Sequence, residues 1–537
     1  MRHWLLTIRM AGVDWRYTTA SEPVEVLDGA AAYVFSPGLD DPAPTSSAVS
    51  VEGVEIPISV VLGGDAWEVL AGLRDMGGLT AELALWVEGD AWARRVVWAD
   101  GRMDRPAYET VGQPLAFSIV EDAWEDRSLI PSPTQQINGS TWPLIPGSVV
   151  TPDGSAGYYY PVVFGAPGVL LAGDGFTEFF GWPVLVVEID ATSLDNFTGG
   201  VTDATLLIAG HPMIATTVTI YNRTTGQAFD ATITRALDGL GQVVAVAYVA
   251  GVDLQIAAGD ELWASCTSVA DGGLGAPNGG VLRGAGQIAQ WLMQRSTLRF
   301  DTSQAAMLAR LDAFKSDFFI SEPRSAWAIL NDTVIQAAGG LLPAFWRRSR
   351  AGLYLAVRPW EGGVVDASGP VLALDPATMG GDRDGGVSVS SSAELVTDLA
   401  VDYARDEGLG ATRRSLRYSP IPEAGATAAL SPAVALASGR ARRFLRVAAE
   451  SVQDPATAAL LLSIAARWRA TTRRAVRYLL PPDERLTPGA LVKLTDDEIR
   501  WGAVLCWVVS VQVWADGGFW TVDLEEIPDW PRQTGGA

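Results

Sequence analysis

Between residues 486 and 526, apolar side chains and turn residues follow one another at strand spacing. Pro488-Gly489 marks a tight turn, and Leu491, Val492 and Leu494 lead into the acidic turn Thr495-Asp496-Asp497. Trp507 to Trp514 reads as a second strand, Asp516-Gly517-Gly518 as a hairpin turn and Phe519 to Glu526 as a third strand. A helix and a strand precede the group. A closing β-module is therefore expected here, and the order of its elements is more specific than any one residue in it.

The 537 residues leave room for about three to four domains of roughly 150 residues, each with its own core. Hydrophobic residues at 48%, with 56 Gly and 31 Pro, favour strands and turns over a helical bundle. The expected class is α+β, mostly β: several β-barrel or sandwich modules, with a helical cluster inserted before a C-terminal β-module. No apolar run is long enough for a membrane-spanning helix. Met1 to Arg9 carries too short an apolar run for a signal peptide, so synthesis in a cytoplasm without export is expected.

Residue types narrow the chemistry. Cys266 and Cys506 cannot make a disulfide framework or a four-cysteine metal site, and read as two small buried hydrophobes. His3 and His211 are the only histidines, which removes most Ser-His-Asp, Cys-His and His-metal arrangements. His211, in Gly210-His211-Pro212, reads as a turn residue. No catalytic group, cofactor or metal is expected. The net charge of −23 argues against a sequence-specific nucleic-acid binder, which needs cations to neutralise phosphate. The charge is uneven: residues 131–282 hold thirteen acids against two arginines, and residues 401–480 hold thirteen arginines against six acids. Arg467, Arg469, Arg473, Arg474 and Arg477 are the candidate interface residues. They are expected to pair, across subunits or with another protein, with acids of the 131–282 region.

Four domains are expected. Residues 1–130 form an N-terminal β-domain, with strands near 5–9, 51–60, 81–87, 93–98 and 115–120, a helix Ala66 to Arg74, and a hairpin turn at Ala99-Asp100-Gly101-Arg102. The Pro-rich connector 131–136 opens a central barrel or sandwich region, 131–283, with strands at 183–189, 216–221 and 243–249. It also holds the run Tyr160-Pro161-Val162-Val163-Phe164-Gly165 and a Gly-rich link at 271–280. Residues 284–400 are a helix-rich α+β region. Its helices are 287–295, a second from Thr302 to Asp317 capped by Asp301 with Gln304, and a third from Pro323 to Gly339-Gly340; the hairpin 341–360 and a strand 396–403 follow. Residues 401–537 contain a helix from Asp454-Pro455 to about Arg469, then the closing β-module.

From about residue 285 this order resembles that of the tail-hub (baseplate-hub) proteins of long-tailed bacteriophages. The matching runs are Ala326-Trp327-Ala328-Ile329-Leu330-Asn331-Asp332, Gly352-Leu353-Tyr354-Leu355, Thr397 to Tyr403, Ala466-Arg467-Trp468 and Leu486 to Thr495. The resemblance implies a virion structural protein at the tail tip, usually a homotrimeric ring joining tail tube to tip around the DNA-ejection channel. The partners it implies are the distal tail protein, the tape-measure protein and tip fibre or spike proteins. DNA would pass without specific binding, so the channel wall is expected to be acidic or neutral and not lined by Arg413, Arg414, Arg440, Arg442 and Arg443. Duplicated β-modules would let three chains offer six similar faces to the tube. The alternative is a tail-associated glycan-binding or glycan-degrading protein. It would use the 20 Trp as sugar platforms, or paired carboxylates among Asp100, Asp104 and Glu109, or among Glu121, Asp122, Glu125 and Asp126.

Overall fold

The structure is a computed structural model. It describes residues 2–10, 12–40, 42, 45–46, 55–72, 79–108, 110, 113–120, 126–142, 157–168, 181–189, 204–249, 260–266, 282–298, 300–301, 305–336, 338, 341–349, 352–357, 371–390, 396, 398–406, 410–418, 443–470, 473–483, 485–513 and 519–527. The chain is mostly β, with few helices. The expected Gly-rich link, the turn 516–518 and the helix end at Gly339-Gly340 lie outside the described residues.

The first barrel comprises β1 (Arg2–Met10), β2 (Val13–Thr18), β3 (Val24–Asp28), β4 (Ala31–Pro37), β6 (Glu55–Val60), α1 (Gly64–Gly72), β7 (Thr80–Val87), β8 (Val96–Ala107) and β9 (Leu115–Val120); β5 (Thr45–Ser46) leaves it. The strand order is β3-β4-β2-β1-β7-β8-β9-β6. The residues after β4 close it: Leu39 N–H donates to Thr18 O, and Val61 N–H donates to Gly38 O at 2.8 Å. A Cβ on Gly38 would lie 2.8 Å from Val61 O, so this closure needs glycine. Alternation along β1 sends Trp4, Leu6, Ile8 and Met10 inward and Leu5 outward, where Val26, Phe35 and Trp86 cover it. The expected turn at Ala99-Asp100-Gly101-Arg102 is instead mid-strand in β8. Glu82 pairs with Asp100 and Thr80 with Arg102, and a register slip at Leu83/Ala84 absorbs the bend.

After β10 (Val162–Phe164) comes a second barrel: β11 (Trp182–Pro183), β12 (Leu185–Ile189), β13 (Ala204–Ala209), β14 (Thr217–Asn222), β15 (Gln227–Leu237), β16 (Val243–Val249) and β17 (Leu262–Ser265). Its order, β11-β17-β14-β15-β16-β13-β12, closes because β11 and β12 are one run serving both edges. The strands expected at 183–189, 216–221 and 243–249 are present, whereas β13, β15 and β17 were not anticipated.

The helical layer holds α2 (Ala285–Arg295), α3 (Ala305–Leu308, then a 3-10 turn Ala309–Ala313), β18 (Phe318–Ile320), α4 (Ala326–Ala328, continuing as a π-helix Ile329–Gln336) and the hairpin β19 (Ala344–Ser349)–β20 (Gly352–Val357). Two helix expectations are corrected. The second helix is short and gives way to β18, which pairs with β10; the cap partner Gln304 lies outside the described residues. The third is capped by Ser325, whose side chain accepts from Ala328 N–H, and does not begin at Pro323.

The rest comprises β21 (Leu372–Leu374), α5 (Pro376–Met379), β22 (Asp382–Arg383), β23 (Ser388–Val389), β24 (Asp398–Asp406), β25 (Ala411–Tyr418), β26 (Phe444–Ala448), α6 (Pro455–Ala470), β27 (Arg474–Leu480), β28 (Leu491–Asp496), β29 (Trp501–Val513) and β30 (Trp520–Glu526). A third barrel has the order β21-β28-β29-β30-β27-β22, with the single run β21–α5–β22 at both edges. β24 to β26 form a separate three-stranded sheet whose Leu399, Val401 and Tyr403 join Leu461 and Leu462 of α6 in one core.

The first and third barrels share one apolar cluster. Leu6, Ile8, Val60 and Leu83 from one lie in it with Val476, Leu480, Leu494 and Leu524 from the other. β5 also crosses over, Thr45 pairing with Val513 and Ser46 with Gln512. A single cooperative unit is therefore expected. Leu494→Ala should cost about 2–5 kcal/mol and should speed hydrogen exchange in β1 and β7 as well as in β28. Faster exchange confined to the C-terminal strands would mean two independent units.

Candidate interaction surface

Strand alternation sets the chain's arginines opposite carboxylates. β27 buries Val476, Tyr478 and Leu480, and β30 buries Val522 and Leu524. Arg473 and Arg477 therefore share the outer face with Glu525 and Asp523, and the register pairs Arg477 with Asp523. Arg477 forks onto Asp523 at 2.7 and 3.3 Å. Arg473 pairs with Glu525 and lies 5.4 Å over the Trp468 ring. Arg474, on the opposite face, pairs with Glu526 and lies 4.6 Å over Trp501. The hydrogen bonds from Arg474 to Glu526 and from Arg477 to Asp523 raise both guanidinium pKa values further.

Within the chain, and among the described residues, the partners of Arg473, Arg474 and Arg477 are thus the β30 carboxylates Glu525, Glu526 and Asp523. Antiparallel pairing of β27 with β30 delivers them, a proximity that sequence spacing does not reveal. Arg469 is exposed at the end of α6, its carbonyl accepting Val396 N–H at 2.9 Å. Arg467 is in α6, with a side chain outside the described residues.

A second ladder was not anticipated. Asp398, Asp402 and Asp406 recur every fourth residue along β24 and are buried. Arg417 reaches Asp398 at 3.6 Å, Arg446 reaches Asp402 at 2.5 Å, and Arg413 reaches Asp406 at 2.5 Å. The even spacing in a strand was the available signal, since it puts carboxylates on one face.

Two carboxylates of the glycan alternative, Asp126 and Asp100, hold contacts within the fold. Burial pushes Asp126 up, but hydrogen bonds from Ser128, Thr297 and Trp327 outweigh it and hold the carboxyl below its ordinary range. Asp126 thereby ties its own segment to the ends of α2 and the start of α4. Asp100 pairs with Arg9 at 3.2 Å on the first barrel, and Asp104 sits on β8. Glu109, Glu121, Asp122 and Glu125 lie outside the described residues. Among the described residues no group of three or more His, Cys, Asp and Glu is placed to hold a metal ion.

His211 lies in the bend that follows β13, as expected of a turn residue, and is buried there. Its Nε2 accepts from Val163 N–H at 3.1 Å, and its Nδ1 lies 3.0 Å from Pro212 O, which assigns the proton to Nδ1. His3 is buried in β1, and burial lowers its pKa. Both cysteines are buried; burial pushes the Cys506 thiol up to about 12.

No family model matches this chain, and no curated protein matches it. Among solved structures it is similar to the prophage MuSo2 43 kDa tail protein from Shewanella oneidensis, at 8% identity and a TM-score of 0.35, over 97% of this chain and 98% of that one. It is also similar to a chain of the virion of a native gene transfer agent particle, at 15% identity and a TM-score of 0.18, over 50% of this chain and 80% of that one.

Two outcomes are expected. Replacing Arg473 and Arg474 together by Ala should lower stability by no more than about 2 kcal/mol, because both pairs are partly solvated. If these arginines also serve an interface, assembly should fail while the chain stays folded, and unchanged assembly would remove that role. Secondly, the raised pKa values of Cys506 and Tyr160 (each up to about 12, mainly through burial) make stability fall with rising pH. Their contribution is complete below the ordinary thiol and phenol values of 9.0 and 10.0 and is lost as pH climbs towards 12. Denaturant midpoints measured from pH 8 to about 11 should decline, less so in Cys506→Ala.

Proposed function

We propose that this chain is a structural tail-hub protein of a bacteriophage-type tail tip or baseplate, without enzymatic turnover. Three copies would close a ring between tail tube and tip around the DNA-ejection channel. The observation that carries this reading is the union of the first and third barrels over one core, in a chain whose C-terminal half runs helices, hairpin, strand, helix and Pro-Gly strand in hub order. Three copies of a two-barrel unit would offer six barrels to a six-fold tube and three chains to a three-fold tip.

The distal tail protein, the tape-measure protein and tip fibres or spikes are the neighbours this placement requires, with DNA passing and no residue dedicated to gripping it. The ion pair between Arg413 and Asp406 supports that part of the reading, since a neutralised arginine has little left for phosphate. Arg440 and Arg442 lie outside the described residues. No helix among the described residues is long and apolar enough to cross a membrane.

Gold-labelled antibody against the purified chain, applied to intact particles and viewed by negative-stain microscopy, tests the placement. Label at the tip end of the tail is expected. Label along the shaft or on the capsid would overturn it.

A further inference from the structure

Residues 135–142 form a strap across the second barrel, and the strap turns at an asparagine followed by glycine. The chain holds five asparagines, Asn138, Asn196, Asn222, Asn278 and Asn331, and glycine follows Asn138 and Asn278. Asn196 and Asn278 lie outside the described residues. Asn222 and Asn331 are buried and precede Arg223 and Asp332, whereas Asn138 and Gly139 are exposed. The Asn138 carbonyl accepts from Thr141 N–H at 3.1 Å and Trp142 N–H at 2.8 Å, which closes the turn. Trp142 and Ile137 then pack with Val187, Leu207, Val244 and Val246 of the barrel. Thr141 O accepts from Gly239 N–H at 2.6 Å, fastening the strap to the loop between β15 and β16.

The Asn138 amide is arranged for attack by the next backbone nitrogen. Its Oδ1 accepts from Ser140 N–H at 2.9 Å and Thr141 N–H at 3.2 Å, and its Nδ2 donates to Gln136 O at 3.1 Å. These contacts fix which end of the amide is oxygen. Among the described residues no hydrogen bond occupies the Gly139 N–H, and a Cβ on Gly139 would meet nothing within 4 Å. The nucleophile is therefore free and uncrowded. Two N–H groups already face the oxygen on which negative charge would develop, the arrangement that stabilises an oxyanion. The Asp238–Gly239 pair on the facing loop lacks this chemistry, because Asp238 is buried and the Gly239 N–H is held by Thr141 O.

We propose that Asn138–Gly139 is a self-modification site: the folded chain converts Asn138 to aspartate and isoaspartate through a cyclic imide, and the isoaspartate form releases the strap. Hydroxide takes the Gly139 amide proton, and the nitrogen forms a bond to Asn138 Cγ. The Cγ–Nδ2 bond breaks, and Nδ2 leaves as ammonia with a proton from water. Water then opens the imide at either carbonyl, and no oxidant or reductant is required. Opening at Cγ leaves an aspartate, which still accepts from the N–H groups of the turn. Opening at the main-chain carbonyl leaves isoaspartate, with an extra methylene in the backbone ahead of Gly139. The turn then no longer brings Thr141 O to Gly239 and Trp142 onto the barrel together. The reaction lies within one chain and is independent of the ring reading.

Purified full-length chain, held folded in mildly alkaline buffer, tests this by peptide mass spectrometry with chromatographic separation of aspartate from isoaspartate. Both products are expected at position 138, accumulating faster as pH rises, with Asn222 and Asn331 unchanged. Gly139→Ala, for which the structure has room, should slow conversion severalfold by restricting the backbone. Hydrogen exchange at Gly239 and in β16 should be faster in the aged chain than in the fresh one. Asn138→Ser keeps a capping oxygen but has no amide, and should show no such change on ageing. Conversion confined to denaturant, with Asn138 intact in the folded chain, would overturn the proposal. Isoaspartate that leaves exchange at Gly239 unchanged, or loosening that persists in Asn138→Ser, would overturn the release of the strap.

Discussion

The Asp317 carboxylate is the point on which the separate layers depend. Its side chain is fully buried and accepts from Arg283 Nε at 2.7 Å, Arg283 Nη2 at 3.1 Å and Ala166 N–H at 2.7 Å. Its own N–H donates to Ser451 O. One residue thus joins the run that leads into the second barrel, the entry to α2, β18 and the approach to α6. Gly165 is part of this arrangement: its φ is +66°, and a Cβ there would lie 2.2 Å from Asp317 Oδ1. Leaving such a buried charge unpaired costs about 3–5 kcal/mol. Next to it, β10 divides its side chains, Val162 and Phe164 entering the helical core and Val163 the core of the second barrel. Tyr160 enters a third cluster.

Edge closure is the second organising constraint. An open sheet edge invites unwanted pairing. The second and third barrels each solve this with one continuous run that pairs at both edges, and the first with the residues just after β4. The outer face of the third barrel then carries the helical layer: Trp507 of β29 packs 5.3 Å from Phe345 and 6.3 Å from Trp468. The register slip in β29 between Val508 and Ser510 leaves Val509 O available, and the Arg347 guanidinium donates to it at 2.9 Å.

Much of this was legible in the sequence wherever local pattern and tertiary demand agree. The strand at 243–249 was read with its full bounds, and α6 with its Asp454 cap, because alternation and capping chemistry are local signals. The turn assigned to Ala99-Asp100-Gly101-Arg102 failed because pairing with β7 overrides the turn preference of Asp-Gly. β15 was missed because most of it is exposed and shows no clean apolar alternation, its strand state being imposed by neighbours on both sides. At the candidate surface, the arginines were identifiable by composition but their partners were not. Asp523, Glu525 and Glu526 lie about fifty residues away, and only the β27–β30 register brings them across.

On the proposed reading, one unit of a closed ring consists of the fused first and third barrels, the helical layer and the second barrel with its own core. The central claim is the closed oligomer. The most direct measurement is the native mass of the purified full-length chain at micromolar concentration and above. The account predicts a species of three times the 56.9 kDa chain mass. A single 56.9 kDa species across that range, with no larger assembly, would contradict it.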